Sequence, residues 1–524
     1  MNPWLRRTLA VSSGLLLTLV SPPLSWAPLH WVSFVPVFVA VHDMDRKRAF
    51  RLGYLCGFAA VASLFHWLAE TISVFGEIPV PIAVAILTLF AAVFGLPYGL
   101  LLQLVPSFRA RFGPWWVPAF ACVWVMAERL QPALFPYYQG VGQYRSPWVW
   151  QLASVVGSMG VSFLILLVNA AVADLVLTRG QRWKPLAVAG GLFLANLAFG
   201  ATRYAEVTAA DAAAPTFRIS ILQQGVRMQT RLQDRGEVIV KSWVDLTRKV
   251  APLHPQLVVW PEGSIFYNPT DPLLEPYLAK LARAENAFIL MGAGTHEEVT
   301  GTDIVDGTSQ VVVGTRDWNS AYMFDRKGDI VGRYDKMWPL PFGEYMPWPT
   351  SYLRPYIQGV GDFRAGTAPH IFEVDGVKFS TPICYEAILD GQMREMGTGV
   401  DLYINITNDA WFGDTPAPHQ HAMLAAAEAM ENGRPMVRIA YTGISMVVLP
   451  NGDIPVYTQP YTDVADVVEV PIAPIETVYR RGGWVFAWLC ALVGAGAIGY
   501  AWKDRGVPWG TVQTRPVTPP PPSA

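Results

Sequence analysis

A carboxylate, an ammonium and a thiol stand at three comparable places in this chain, each just after an apolar run where the backbone turns. Leu257-Val258-Val259-Trp260 leads into Pro261-Glu262-Gly263-Ser264. A carboxylate at the rim of a sheet, close to an apolar interior, becomes a better base because burial disfavours its charge. The plainer reading is a glutamate favoured by a helix N-terminus. Phe379-Ser380-Thr381-Pro382-Ile383 leads into Cys384-Tyr385-Glu386. A strand-to-helix turn there exposes the thiol and offers backbone N–H groups that favour a thiolate and hold an oxyanion. A lone cysteine is otherwise a small buried hydrophobe. Arg333-Tyr334-Asp335-Lys336 follows a hairpin whose turn is Arg326-Lys327-Gly328-Asp329. A lysine after a strand is commonly just solvated, but a cation near the thiol would favour thiolate and steady a developing oxyanion. Nucleophile, base and cation are together the parts of covalent catalysis.

The elements that must position them lie in one region, about 203–481. Short β-rich runs at 217–222, 256–260, 287–291, 320–324, 377–382, 401–406, 436–440 and 445–449 alternate with helical patterns at 233–250, 272–285 and 417–432. Strands alternating with helices predict an α/β domain, and the region is long enough to bury a full core. The other cysteines, Cys56, Cys122 and Cys490, fall in apolar runs, so Cys384 has no disulfide partner within this region.

The rest of the chain avoids charge in blocks. Of 524 residues, 52% are hydrophobic and 15% charged, against about 25% charged in soluble proteins. No basic face points to nucleic acid. No formal charge occurs between Thr8 and His42, a stretch that fits two short spans broken at Ser21-Pro22-Pro23. Further apolar runs cover about 52–70, 79–105, 115–128, 149–177, 185–202 and 484–502, which predicts eight membrane spans in all. Arg6-Arg7 before an apolar stretch would also fit a signal peptide, but no small-x-small cleavage site follows, so the first helix is expected to stay. With the N-terminus in the cytoplasm, thirteen Lys and Arg from Arg6 to Arg505 fall on the cytoplasmic side, against Arg145 in the short loops opposite. That bias places both termini inside and the region between spans seven and eight outside. The organisation expected is 1–202 with seven spans, 203–481 catalytic, 482–503 the eighth span, and 504–524 a Pro-rich disordered tail.

Trp260-Pro261-Glu262, Tyr334-Asp335-Lys336 and Ile383-Cys384-Tyr385-Glu386, in this order and spacing, resemble the nitrilase superfamily over about 216–472. The resemblance implies an α-β-β-α sandwich with Glu262 as base, Lys336 as oxyanion stabiliser and Cys384 as nucleophile. Pro341-Phe342-Gly343-Glu344-Tyr345, Asn408-Asp409-Ala410-Trp411-Phe412-Gly413 and Gly433-Arg434-Pro435, with eight spans around an extracytoplasmic domain, resemble the apolipoprotein N-acyltransferase family over nearly the whole chain. That implies an assisting role for Glu344 and pocket roles for Tyr385, Glu386, Asn319 and Trp411. It also implies a phospholipid acyl donor, a diacylglyceryl-modified apolipoprotein as acceptor, a multi-pass protein of the bacterial inner membrane with its catalytic domain periplasmic, and no metal or cofactor. The chain departs from the usual pattern at Trp338-Pro339-Leu340, at Tyr441 and at Gln223-Gln224-Gly225.

The aromatics and prolines of 337–356, among them Trp338, Tyr345, Trp348, Tyr352 and Tyr356, suit a membrane interface as well as a packed loop. His419 and His421 lack the further ligands of a metal site and read as structural or solvated. A membrane-anchored amidase or nitrilase acting on small amides would explain the three reactive residues but not eight spans. A non-catalytic membrane scaffold that kept the fold for binding would not explain why all three reactive residues are intact.

Overall fold

The computed structural model describes residues 1–132, 134–226, 236–305, 308–352 and 360–502. The expected tail at 504–524, with Arg505, lies outside them, as do Lys503 and Tyr356.

Each apolar run forms helix: Pro3–Val20, Val35–Val41, Arg46–Leu64, Val80–Leu102, Trp116–Leu130, Ser158–Leu177, Lys184–Ala213 and Val485–Trp502. Four helical stretches of the described residues, Val80–Leu130, Ser158–Leu177, Lys184–Ala213 and Tyr479–Trp502, are long and apolar enough to cross a membrane. A fifth is Arg46–Leu64 with Trp67–Val74, bent by 50°. Val80–Leu130 is broken after Leu102 and again at Gly113, whose φ is 57°. Helix Lys184–Ala213 runs past residue 202, so the change to sheet comes at Thr216. Arg129, in the last turn of Trp116–Leu130, joins Arg145 on the outer side of the expected topology.

Glycines let two long helices approach closely. A Cβ on Gly57 would lie 2.6 Å from the Gly95 carbonyl oxygen, and one on Gly95 would lie 2.8 Å from the Phe58 nitrogen. Helices Arg46–Leu64 and Val80–Leu102 therefore meet backbone to backbone, as small residues allow between membrane helices.

The remaining elements are strands β1 (Thr216–Gln223), β2 (Leu257–Ile265), β3 (Phe288–Val305), β4 (Thr308–Phe324), β5 (Ile330–Asp335), β6 (Phe372–Val374), β7 (Val377–Ser380), β8 (Leu402–Thr407), β9 (Met436–Ala440), β10 (Met446–Val448), β11 (Val456–Tyr457) and β12 (Val464–Pro471), with helices between them. They form two six-stranded sheets, ordered β12-β1-β2-β3-β4-β5 and β11-β10-β9-β8-β7-β6. Within them β1-β2-β3 and β7-β8-β9 run parallel. Alternation along β2 explains the layering. Leu257 and Val259 join Leu402, Ile404 and Val437 in the core between the sheets, whereas Val258 and Trp260 pack under helices Gly236–Val250 and Glu275–Glu285. Helices Asp390–Met396 and Ala417–Asn432 cover the second sheet. The α-β-β-α sandwich implied by the sequence is the fold.

The expected runs 287–291 and 320–324 are the inner ends of a much longer hairpin, paired from Ile289 with Phe324 out to Val305 with Thr308. The outer part mixes short apolar runs with polar residues and glycines, so no regular alternation marks it in sequence.

The sandwich is seated on the helical half. Trp67 packs its ring 5.5 Å from Phe412 and 6.0 Å from Phe135, and its Nε1 donates to Gln420 Oε1 at 3.1 Å. Gln420 Nε2 donates in turn to the Leu64 carbonyl at 3.0 Å. Gly57→Leu, which wedges the helices apart without touching the sandwich, is expected to cost about 1–3 kcal/mol or more by overpacking. A lowered Tm of the full chain in detergent checks this.

Candidate functional site

Three chain reversals bring the predicted residues together. β2 loses its register with β3 between Trp260 and Ile265, and Glu262 sits in that irregular stretch. Gly292 opposite makes room, since a Cβ there would stand 2.6 Å from Glu262 Cα. No helix begins at Glu262, so the helix-N-terminus reading does not apply. Lys336 follows the last residue of β5, its backbone N–H donating to the Asn319 carbonyl at 2.9 Å. Cys384 opens the short 3₁₀ turn Cys384–Ile388 with a φ of 52°, left-handed backbone that non-glycine residues seldom adopt.

Glu262, Lys336, Glu344 and Asn319 form one connected cluster. Lys336 Nζ lies 2.7 Å from Glu344 Oε2 and 3.7 Å from Glu262 Oε1, and Lys336 is 1% exposed. Asn319 Nδ2 donates to Glu262 Oε1 and to Glu344 Oε1, both at 2.7 Å. Backbone N–H groups complete the set: Asn408 donates to Glu262 Oε2 at 2.7 Å and Leu340 to Glu344 Oε2 at 2.6 Å.

Burial raises the Glu262 pKa, helped by Glu344, against the opposing pull of Lys336. Burial works against the charge of Lys336, yet Glu344 and Glu262 outweigh it and keep the ammonium firmly protonated. Cys384 departs from the expected lowering of its pKa. Burial pushes the thiol up, the Glu262 carboxylate adds to this, and Lys336 only partly offsets both. The chief reason is burial, which disfavours the thiolate more than the nearby ammonium favours it.

Glu386 fastens the cysteine turn to the lysine strand. Its Oε1 accepts from Tyr334 Oη at 2.8 Å, Met337 N at 2.7 Å and Trp338 N at 3.2 Å, while Oε2 accepts from Ile383 N at 2.7 Å. Burial pushes its pKa to about 7, against those donors and Lys336. Tyr385 is buried and meets Phe135 of the helical half edge to face at 6.4 Å. Trp411 is 45% exposed on the turn Asp409–Phe412.

Sequence reasoning did not find the buried ion group behind the cysteine. Asp409 Oδ2 pairs with Arg438 at 2.8 Å, and Asp409 Oδ1 with His421 Nδ1 at 2.9 Å. Arg438 also donates to Asn405 Oδ1 at 2.7 Å, and Asn405 Nδ2 to the Pro382 carbonyl at 2.8 Å. Although burial opposes it, Arg438 and His421 hold the Asp409 carboxyl far below the ordinary range. His421, read as structural or solvated, is structural. An arginine in the middle of an apolar strand, with an Asn-Asp pair just after the neighbouring strand, was the available signal. Also unforeseen is a cavity of about 240 Å³ in the helical half. It is lined by Phe65, Phe90, Phe94, Tyr98, Glu128 and Phe135, the last of which touches Tyr385.

Two family models match the chain: the apolipoprotein N-acyltransferase N-terminal domain over residues 13–171 and carbon-nitrogen hydrolase over residues 225–474. The apolipoprotein N-acyltransferase of Geobacter metallireducens is 30% identical over 518 residues, covering 95% of this chain and 96% of its own. That of Sinorhizobium medicae is 32% identical, covering 84% and 85%. Among solved structures, an amidase from Nesterenkonia sp. overlaps 51% of this chain and 94% of its own, with 18% identity and a TM-score of 0.35. Near-complete coverage by relatives of one name, through both the helical half and the sandwich, establishes that the chain belongs to the apolipoprotein N-acyltransferase family.

Proposed function

We propose that this protein moves a fatty acyl chain from a phospholipid, through a thioester on Cys384, to the α-amino group of a lipoprotein's N-terminal S-diacylglyceryl-cysteine. The observation that carries the reading is the Glu262–Lys336–Glu344 cluster beside Cys384, in a chain whose relatives of that name match it from end to end.

Glu262 takes the thiol proton as Cys384 Sγ attacks the ester carbonyl carbon. Lys336 and the backbone N–H groups of the 384–385 turn hold the oxyanion. Collapse breaks the C–O ester bond, the proton on Glu262 passes to the leaving oxygen, and lysophospholipid departs. The acceptor amine then attacks the thioester, Glu262 removes an amine proton, and the thiol is released as the amide forms. This is ping-pong covalent catalysis. The raised Cys384 pKa assigns ionisation to the moment of attack, through the base, and not to a standing thiolate. Glu344 holds Lys336 in place, Asn319 aligns both carboxylates, and Glu386 fixes the turn. Tyr385 and Trp411 line the approach.

The same reading places eight spans in the bacterial inner membrane, with the sandwich periplasmic and both termini cytoplasmic. Trp348 and Tyr352, 89% and 70% exposed, would then meet lipid headgroups. A small-molecule amidase would need neither the helical half nor its match to the acyltransferase N-terminal domain.

Intact mass after incubation with phospholipid in detergent should show a fatty-acyl gain on the wild type, none on Cys384→Ala, and discharge by a diacylglyceryl-cysteine peptide. Discharge to water alone would favour the amidase. The rate of acylation should climb with pH through a midpoint above the ordinary carboxylate range, since the raised group must lose its proton to act as base. Glu262→Gln should erase that inflection and slow acylation by about 100- to 10,000-fold. Glu386→Gln places an amide NH₂ against donor N–H groups, and should cost about 1–3 kcal/mol of stability at neutral pH, read as a lowered Tm.

A further inference from the structure

A second buried group of carboxylates lies where the sandwich meets the helical half. Asp390, on the helix that follows the cysteine turn, and Glu428 and Glu431, on helix Ala417–Asn432, each offer one oxygen, all within 4.8 Å of one another. Glu428 and Glu431 are each 4% exposed. The reaction uses none of the three.

Charge counting leaves this group short of cations. Arg129 lies 3.8 Å and Arg394 3.5 Å from Asp390, and the Tyr479 hydroxyl is hydrogen-bonded to the same carboxylate. Among the described residues no such ion pair reaches Glu428 or Glu431. Glu428 accepts from Asn432 Nδ2 at 3.2 Å, and Arg394 acts on it only through space. Glu431 accepts from the backbone N–H of Ser158 at 2.7 Å, at the start of helix Ser158–Leu177, a position that favours a negative charge. Two buried carboxylates without cations are costly unless something neutralises them.

The surroundings point to what does so. Ser158 is 1% exposed; its hydroxyl, otherwise without a partner, lies beside Glu431, as does that of Tyr479, and both favour that carboxylate's charge without supplying a positive one. Ser158, Asp390, Glu431, Tyr138 and Tyr479 line one small cavity of about 20 Å³, room for about one water-sized species. Oxygens bound to calcium at about 2.3–2.6 Å can stand at most about 5 Å apart, as these do. Carboxylate and hydroxyl oxygens select hard cations over thiophilic ones.

We infer that Asp390, Glu428 and Glu431, with the Ser158 hydroxyl, bind one hard divalent cation of the calcium or magnesium class. The ion joins three parts of the molecule: the helix after the cysteine turn, the helix carrying His421, and the start of helix Ser158–Leu177. It acts as a structural clamp and not in acyl transfer.

The test uses the full chain in detergent, stripped with EDTA, reloaded with CaCl₂ or MgCl₂, desalted, and read for metal content and Tm beside Glu428→Gln/Glu431→Gln. About one equivalent per chain should remain on the wild type, with Tm falling by about 3 °C or more on stripping and returning on reloading. The double variant should hold none and ignore EDTA. Ser158→Ala, which keeps every carboxylate, should weaken calcium affinity several-fold and serves if the double variant does not fold. A wild type that retains no metal and whose Tm EDTA does not move overturns the inference, and leaves protons as the neutralising charge. Equal retention by the double variant, or unchanged affinity in Ser158→Ala, overturns it as well.

Discussion

One ammonium held between two carboxylates, out of reach of water, is the constraint around which the site is built. Removing an ion from water costs several kcal/mol even after relaxation, and Lys336 is 1% exposed. The cluster tolerates this because every charge has close partners: Glu344 at 2.7 Å and Glu262 at 3.7 Å for the ammonium, Asn319 and two backbone N–H groups for the carboxylates. Burial, with the Glu262 carboxylate beside it, raises the Cys384 thiol pKa, and the ammonium only partly offsets this. In the proposed reaction this becomes an advantage. Once Glu262 accepts the thiol proton it no longer competes for Lys336, and the ammonium is released toward the oxyanion at the moment that charge forms.

Such a cluster needs a frame that cannot drift, because a shift of about 1 Å in a catalytic group can cost about 100-fold in rate. The base stands in an irregular stretch of β2, the ammonium follows β5, and the cysteine follows β7 of the other sheet. The two sheets share a core, but packing alone does not lock one to the other at ångström precision. Glu386 does so, with three donors from the lysine strand side and one from the cysteine turn. Behind the turn, Arg438 and Asp409 tie β9 to the loop after β8, and Asn405 reaches the Pro382 carbonyl just before the cysteine.

Much of this was legible in the sequence, and what was not shares a cause. Glu262, Lys336 and Cys384 could be found because each follows an apolar strand and each belongs to a short motif. The helices could be found because runs without charge are hard to explain otherwise. The thiol's raised pKa was missed because the sequence shows which charges exist but not how deeply the packed fold buries the thiol. The long β3–β4 hairpin lacked a signal because its outer run, interrupted by Gly301, Gly307 and Gly314, shows no regular apolar-polar alternation. The Asp409–Arg438–His421 group was hidden because its members lie far apart in the chain and meet only when β8, β9 and helix Ala417–Asn432 pack together. Helix Lys184–Ala213 overran its expected end because a helix can leave an apolar layer without ceasing to be a helix.

The helical half is better understood as a wall of the active site than as an anchor. A thioester that must pass its acyl group to an amine has to be kept from water. Cys384, Glu262 and Lys336 are all buried, and aromatic residues of both halves meet at Tyr385, next to Cys384 in the chain. Tyr385 meets Phe135 edge to face, as do Phe135 and Trp67, and Trp67 and Phe412. Phe135 also lines the apolar cavity of the helical half. Phe135 thus links that cavity to Tyr385, the residue after Cys384. An acyl donor held in that cavity would arrive from the apolar side and bring little water with it. Such a wall cannot be built by one anchoring helix, which is a physical reason for the sandwich and the helical bundle to be a single polypeptide.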